Sequence, residues 1–210
     1  MVERGQPDGL RQRKRQATRH ALFEAAVRLA ADQGAENVTV EAISERAGVS
    51  PRTFFNYFKS REEAFVMADP EAGERLREVM REAPPEGSML DVLRDYMAEN
   101  LSGLDFDPEL WSLVALVLSR SPELTSRMLS LQAEDEKATA DVVLQRLRDQ
   151  GEPDRQAQLY SRMIAALPAL SARVAVTLWH ETARDEPLLD VFHRVFDQLA
   201  AGLTRPLGAR

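Results

Sequence analysis

Apolar side chains recur at helical spacing along almost the whole chain, and this constrains the fold more than any other feature. Leu22, Ala25, Ala26 and Leu29 stand at i, i+3, i+4 and i+7, and similar stripes follow to the C-terminus. No stretch alternates apolar and polar residues between hairpin turns, so the spacing predicts an all-α protein of about nine helices. Local stop and start signals divide it. Gly34 ends a helix over 16–33, Thr39 caps a short second helix, and Ser50 with Pro51 caps and begins a third that runs to about Tyr57. Ser60-Arg61-Glu62-Glu63 has the form of a capping box and opens a fourth. Asp69-Pro70 is compatible with a kink or a new helix, and Pro84-Pro85-Glu86-Gly87 is a firm break. Further helices are expected over 88–103, 108–119, 122–150, 153–183 and 187–203.

A chain of 210 residues buries a substantial core without staples, and it contains no Cys and only His20, His180 and His193. Thiol nucleophiles, disulfides and Cys-ligated zinc are therefore excluded, and neither a metal site nor a cofactor is expected. The apolar runs are short and interrupted by charge, and no signal peptide is recognisable, so the expectation is a cytoplasmic protein without a membrane partner. The net charge of −7 conceals an asymmetry. Residues 1–61 carry 11 Lys and Arg against 7 Asp and Glu, a balance of +4, and residues 62–210 carry 16 against 27, a balance of −11. A polyanion would approach the first part.

The segment from Thr39 to Tyr57 has the spacing of a helix-turn-helix. Ser44, four residues before Gly48, lets two helices approach, and Ile43, Ala47, Val49, Phe54 and Tyr57 fill the wedge between them. Such a pair presents its second helix to the major groove of DNA. Ahead of it, Leu10 to Arg19 is rich in Arg and Lys, and Arg11, Arg13, Lys14 and Arg15 are suited to phosphates as an N-terminal arm over residues 1–15.

Gly34 to Glu63 then resembles a known family. Asn37-Val38-Thr39-Val40, Ile43-Ser44, Ala47-Gly48-Val49-Ser50, Thr53-Phe54-Phe55-Asn56-Tyr57-Phe58 and Ser60-Arg61-Glu62-Glu63 look like the N-terminal domain of a TetR-family regulator. The resemblance implies a three-helix DNA-binding domain over 16–66 and a larger helical effector-binding and dimerisation domain over 67–210. It also implies a homodimeric repressor that binds a palindromic operator in double-stranded DNA and releases it when a small molecule binds. By position, Pro51, Arg52, Phe55 and Asn56 fall where the family reads bases, and Thr39, Thr53, Tyr57 and Arg61 where it holds phosphates. Arg52 suits guanine and Asn56 adenine, and Phe55, where many members have Tyr, is restricted to apolar contact such as a thymine methyl. Lys59 stands where Pro is frequent and adds a phosphate partner; Ser50 is the cap of the reading helix.

Beyond Glu63 the reading is mostly physical. Helices over 153–183 and 187–203 are apolar on more than one side, which points to a subunit interface through Leu178, Phe192, Phe196 and Leu199, the alternative being a larger core within one chain. The adaptable Met97, Met128 and Met163, the aromatic Trp111 and Tyr160, and Leu167 beside Pro168 are the candidate effector pocket. Few charges interrupt these stripes, so an apolar or amphipathic effector is expected. The stretches Arg173 to Trp179 and Phe192 to Leu203 loosely resemble the mycofactocin-system and fatty-acyl-responsive branch of the family, which implies an acyl-type ligand. The rival reading is a small helical enzyme acting on a hydrophobic substrate. Paired carboxylates exist, Glu134 with Glu136 and Glu62 with Glu63, but they lack a His, Ser or Lys partner at useful spacing, and there is no Gly-rich phosphate loop. A nonspecific DNA-architectural protein conflicts with the −11 balance of the larger part.

Overall fold

A computed structural model describes residues 7–66, 70–102, 107–182 and 186–203, with side chains from Lys14 onward except those of Pro70, Ser102 and Pro108. The described residues form ten α-helices and one 3-10 turn. They are α1 (Pro7–Gln33), α2 (Val40–Arg46), α3 (Pro51–Phe54), α4 (Arg61–Phe65), α5 (Pro70–Glu82), α6 (Met89–Ser102), α7 (Pro108–Arg120), α8 (Pro122–Asp149), α9 (Asp154–Thr182) and α10 (Leu188–Ala200). The 3-10 turn, Ala35–Asn37, joins α1 to α2. Most helices begin and end within a residue or two of the capping and breaking signals. One open alternative is resolved and one difference stands out. A new helix starts at Pro70, where the missing N–H is an orphan in any case, and α1 begins at Pro7, so the basic stretch expected as an arm continues the first helix.

The chain forms two compact units, residues 1–68 with 107–131, and residues 69–106 with 132–210. Helix α7 and the start of α8, which the sequence reading grouped with the second region, pack on α1. Phe23 and Val27 are buried with Leu110 and Val114, and Trp111 lies against Phe23 with ring centroids 6.4 Å apart. Arg28 donates to Asp107 at 2.7 Å and to Glu24 at 2.9 Å, while Asp107 caps α7 by accepting the Glu109 N–H at 2.9 Å. The other core of this unit joins Leu22, Ala26 and Ala30 of α1 to Val38, Ile43, Phe54, Phe58 and Phe65. Full burial of each such large side chain contributes about 1.5–3 kcal/mol before entropy is charged against it.

In the second unit Leu76 and Met80 of α5, Met89 and Leu93 of α6, Val143 of α8, Ile164, Ala175 and Trp179 of α9, and Val191, Phe192 and Phe196 of α10 form one core. Trp179 Nε1 donates to the Glu186 carbonyl at 2.7 Å, and Arg77 joins α5 to α8 through Asp135 at 2.5 Å. Helix α9 is two-faced. Ala157, Ser161, Ile164, Ala165, Ser171, Ala175 and Trp179 are buried, while Leu159, Tyr160, Met163, Leu170, Val174 and Leu178 on the other side are exposed. By length and composition α9 is apolar enough to cross a membrane, contrary to the expectation that no run is; its buried face packs within this unit.

Phe192 and Phe196, expected at a subunit interface, are instead core residues with 0% and 1% exposure. Helix α10 is strongly amphipathic. Its apolar side is consumed by α6 and α9, its outer side carries Asp190, Arg194 and Asp197, and Leu199 is half-buried. Leu178 alone of the four expected interface residues is exposed.

Candidate nucleic-acid interface

Local chemistry builds the helix-turn-helix. Thr39 Oγ1 accepts the Ala42 N–H at 3.1 Å and caps α2. The chain then turns through Gly48, whose φ of 68° lies in the left-handed region that costs a side-chain-bearing residue most. The Val49 N–H returns to the Ser44 carbonyl at 2.9 Å, and the fully buried Ser44 gives the helices room to approach. Ser50 Oγ accepts the Thr53 N–H at 3.1 Å and shares a hydrogen bond with the Thr53 hydroxyl at 2.8 Å. Pro51 occupies the first helical position. Past Phe54 the backbone continues in tightened turns, with Asn56 N–H to the Thr53 carbonyl at 3.0 Å and Phe58 N–H to Phe54 at 3.1 Å.

This geometry sorts the side chains. Phe54 and Phe58 point inward and are 0% and 1% exposed. Pro51, Arg52, Phe55 and Asn56 face out together, Phe55 at 58% exposure with its ring edge-on to Phe54. An apolar ring held in water beside a cationic and an amide side chain is the composition of a groove-reading surface. Thr39, Ser50 and Lys59 are exposed around it, with Thr53 half-buried.

Tyr57 is half-buried, with the Arg15 guanidinium 5.7 Å from its ring centroid. Lys14 and Arg15 lie exposed on α1, whereas the side chains of Arg11 and Arg13 are outside the described residues. Arg61 was expected on phosphate. It donates inward, to the Val38 carbonyl at 2.7 Å and the Glu36 carbonyl at 3.3 Å, and pairs with Glu62 at 3.0 Å. Burial pushes the Glu62 carboxyl up, but backbone N–H, the Ser60 hydroxyl and Arg61 together hold it below the ordinary carboxylate value.

Two residues take supporting roles that the sequence reading did not assign to them. Arg19 is 8% exposed, donates to the Tyr57 carbonyl at 2.6 Å and stacks 4.4 Å from the Phe58 ring centroid, so it fixes the end of the reading segment to α1. Its signal was available, since it stands three residues before Leu22 on the apolar stripe. Glu63 is the other. The expected reciprocal cap with Ser60 is not made; the Glu63 carboxylate accepts the Lys59 N–H at 2.9 Å and Arg127 of α8 at 2.9 Å.

The candidate pocket residues are not gathered in one unit. Trp111 and Met128 belong to the first, and Met97, Tyr160, Met163 and Leu167 to the second. Met97 and Leu167 pack on the second core, but Tyr160 and Met163 are 40% and 60% exposed on the outer side of α9. Position on the apolar stripe did not separate the inner from the outer side of that helix.

A family model for bacterial regulatory proteins of the tetR family matches residues 22–66, which span the buried face of α1, the helix-turn-helix and α4. Over nearly the full length, the HTH-type transcriptional regulator TcmR of Streptomyces glaucescens is 30% identical across 201 residues, covering 91% of this chain and 86% of TcmR. The chain belongs to the TetR family. It is thus a DNA-binding transcriptional regulator of the helix-turn-helix type. Among solved structures, the TetR-family fold is shared with the fatty acid degradation regulator FadR of Bacillus halodurans, at 20% identity and a TM-score of 0.55, covering 90% of this chain and 97% of that one. FadR of Bacillus subtilis, in complex with stearoyl-CoA, matches at 20% identity and a TM-score of 0.52, covering 87% and 98%.

Proposed function

We propose that this TetR-family regulator is a ligand-responsive repressor that binds a palindromic operator as a homodimer. The observation that carries the DNA-reading half is the shared outward face of Arg52, Phe55 and Asn56 on a capped, rigidly supported segment. In this reading Arg52 and Asn56 address base edges, Pro51 and Phe55 make apolar contacts, and Thr39, Ser50, Thr53, Tyr57 and Lys59 hold phosphates, joined by Arg11, Arg13, Lys14 and Arg15 of α1. Arg61 acts by holding the 3-10 turn in place.

Dimerisation is assigned to α9. Leu159, Met163, Leu170, Val174 and Leu178 form one exposed apolar side, and a twin's equivalent side would remove it from water. Two recognition segments then sit about 34–36 Å apart on one face of DNA. An effector in the helical region releases the operator by favouring a dimer with a different spacing, in proportion to its differential affinity for the two states. Bacillus subtilis FadR takes a stearoyl-CoA on the same fold, which supports an effector with a large apolar part.

Footprinting on the DNA upstream of its own coding region tests this reading. Protection of an inverted repeat, with affinity falling steeply as salt rises, is the expected result. Protection of a single half-site, or equal affinity for random DNA, would refute it.

A further inference from the structure

Of the reading segment only Pro51–Phe54 is regular α-helix. Phe55, Asn56 and Tyr57 follow in turns, with the Asn56 N–H on the Thr53 carbonyl at 3.0 Å and the Tyr57 N–H on the Phe54 carbonyl at 2.9 Å. One helical turn is too short to hold itself, and its last carbonyls have no partner further along a helix. The two ends are secured differently. Arg52 stands inside the turn that Ser50 caps through the Thr53 N–H at 3.1 Å, whereas Asn56 stands beyond the helix and takes its direction from whatever fixes the backbone after it.

Arg19 supplies that fixing from α1. Its Nη1 donates to the Tyr57 carbonyl at 2.6 Å, and its guanidinium lies 4.4 Å from the centroid of the Phe58 ring, so a hydrogen bond sets its position and a stacked ring sets its plane. A cation is also electrostatically favoured beside the carbonyl end of such a segment. The support behind it is rigid. Leu22, one turn on along α1, is fully buried in one core with Phe54 and Phe58, and Phe23 beside it is buried against Leu110 and Val114 of α7. At 8% exposure Arg19 is enclosed on the inner side of the segment, while Asn56 is exposed on the outer.

We propose that Arg19 is a positioning residue for base recognition: it caps the reading segment from α1, sets the direction of Asn56, and so determines how strongly one base pair is preferred without itself touching DNA. This rests on the reading above in which Arg52 and Asn56 address base edges. Because Arg52 is held by the Ser50 cap and Asn56 is not, the two readers part company when Arg19 is removed. A preference carried by Asn56 requires its amide to meet both adenine edge atoms in one plane, and a segment free to tilt loses that geometry first. A preference carried by Arg52 survives.

The test selects synthetic duplexes with randomised cores on the full-length protein and reads the preference at each position by sequencing. Arg52→Ala and Asn56→Ala first mark the positions that these two side chains read. Arg19→Met should then lower the preference at the Asn56 position about tenfold and leave the Arg52 position at its wild-type value. Arg19→Lys keeps a cationic donor for the carbonyl without the planar stack and should lose about threefold there, so the result does not hang on one variant. Added to Asn56→Ala, Arg19→Met should cause no further loss at that position. Equal loss at both positions would reduce Arg19 to general support of the fold and overturn the proposal. So would an unchanged Asn56 position, or a salt slope for binding a random duplex that falls by about one, the mark of a lost phosphate contact. If Asn56→Ala itself leaves every position unchanged, the base-reading assignment fails and takes the role of Arg19 with it. If Asn56→Ala acts and Arg19→Met does not, only the role of Arg19 fails.

Discussion

Arg127 of α8 donates from Nη2 to Oε1 of Glu63 at 2.9 Å, and Glu63 is 3% exposed. The other carboxylate oxygen takes the Lys59 N–H at 2.9 Å, so a single buried side chain ties the start of α8 to the residues directly after the reading segment. Residues 122–131 of α8 belong to the first unit and the helix then continues into the second.

Glu63→Gln and Arg127→Gln should each destabilise the protein by about 1–3 kcal/mol, since each leaves a charged group without its partner. The double variant should cost less than the two singles together, with a coupling of about 1–2 kcal/mol in a double-mutant cycle by urea denaturation. Strict additivity would mean that the pair carries no stability.

Arg52→Ala should reduce discrimination at one or two operator positions by about 1–3 kcal/mol, because a base-edge contact is lost while the phosphate contacts remain. Fluorescence anisotropy across a set of single-base operator variants measures it. A uniform loss on every sequence would move Arg52 from the base edges to the backbone.

Arg61→Ala separates an anchor from a phosphate contact. Its guanidinium serves the carbonyls of Glu36 and Val38, so the expected effect is a lower melting temperature. The dependence of DNA affinity on salt should keep its wild-type slope, whereas loss of a phosphate contact lowers that slope by about one.

Helices α9 and α10 are expected to respond in opposite ways to the same chemical change. Met163→Glu on the exposed side of α9 should yield folded monomers in sedimentation, because charge on an apolar face opposes association. Phe196→Glu should unfold the second unit, since a carboxylate cannot be hydrated at a position 1% exposed. A folded, dimeric Met163→Glu protein would place the interface elsewhere.

Much of this was legible in the residues because it is local. Caps and breakers act within four residues, so Thr39, Gly48, Ser50 and Pro51 set the helix-turn-helix out before any packing is known. The outward position of Arg52, Phe55 and Asn56 and the inward position of Phe54 and Phe58 follow from the same short segment. Arg61, Glu63 and Arg19 were not legible to the same degree. Their partners lie 23, 64 and 38 residues away, and a side chain that reaches both a phosphate and a carbonyl does not declare which it will meet.

The amino-acid order by itself determined an all-helical chain, where most of its helices begin and end, and which short segment forms the helix-turn-helix, because propensity, capping and turn chemistry operate between neighbours. Only the tertiary structure decided that α10 spends Phe192 and Phe196 on its own core and that α9 leaves an apolar side open. Periodicity states that a face must leave water; what it meets is settled by the competition of every other apolar face for the same contacts.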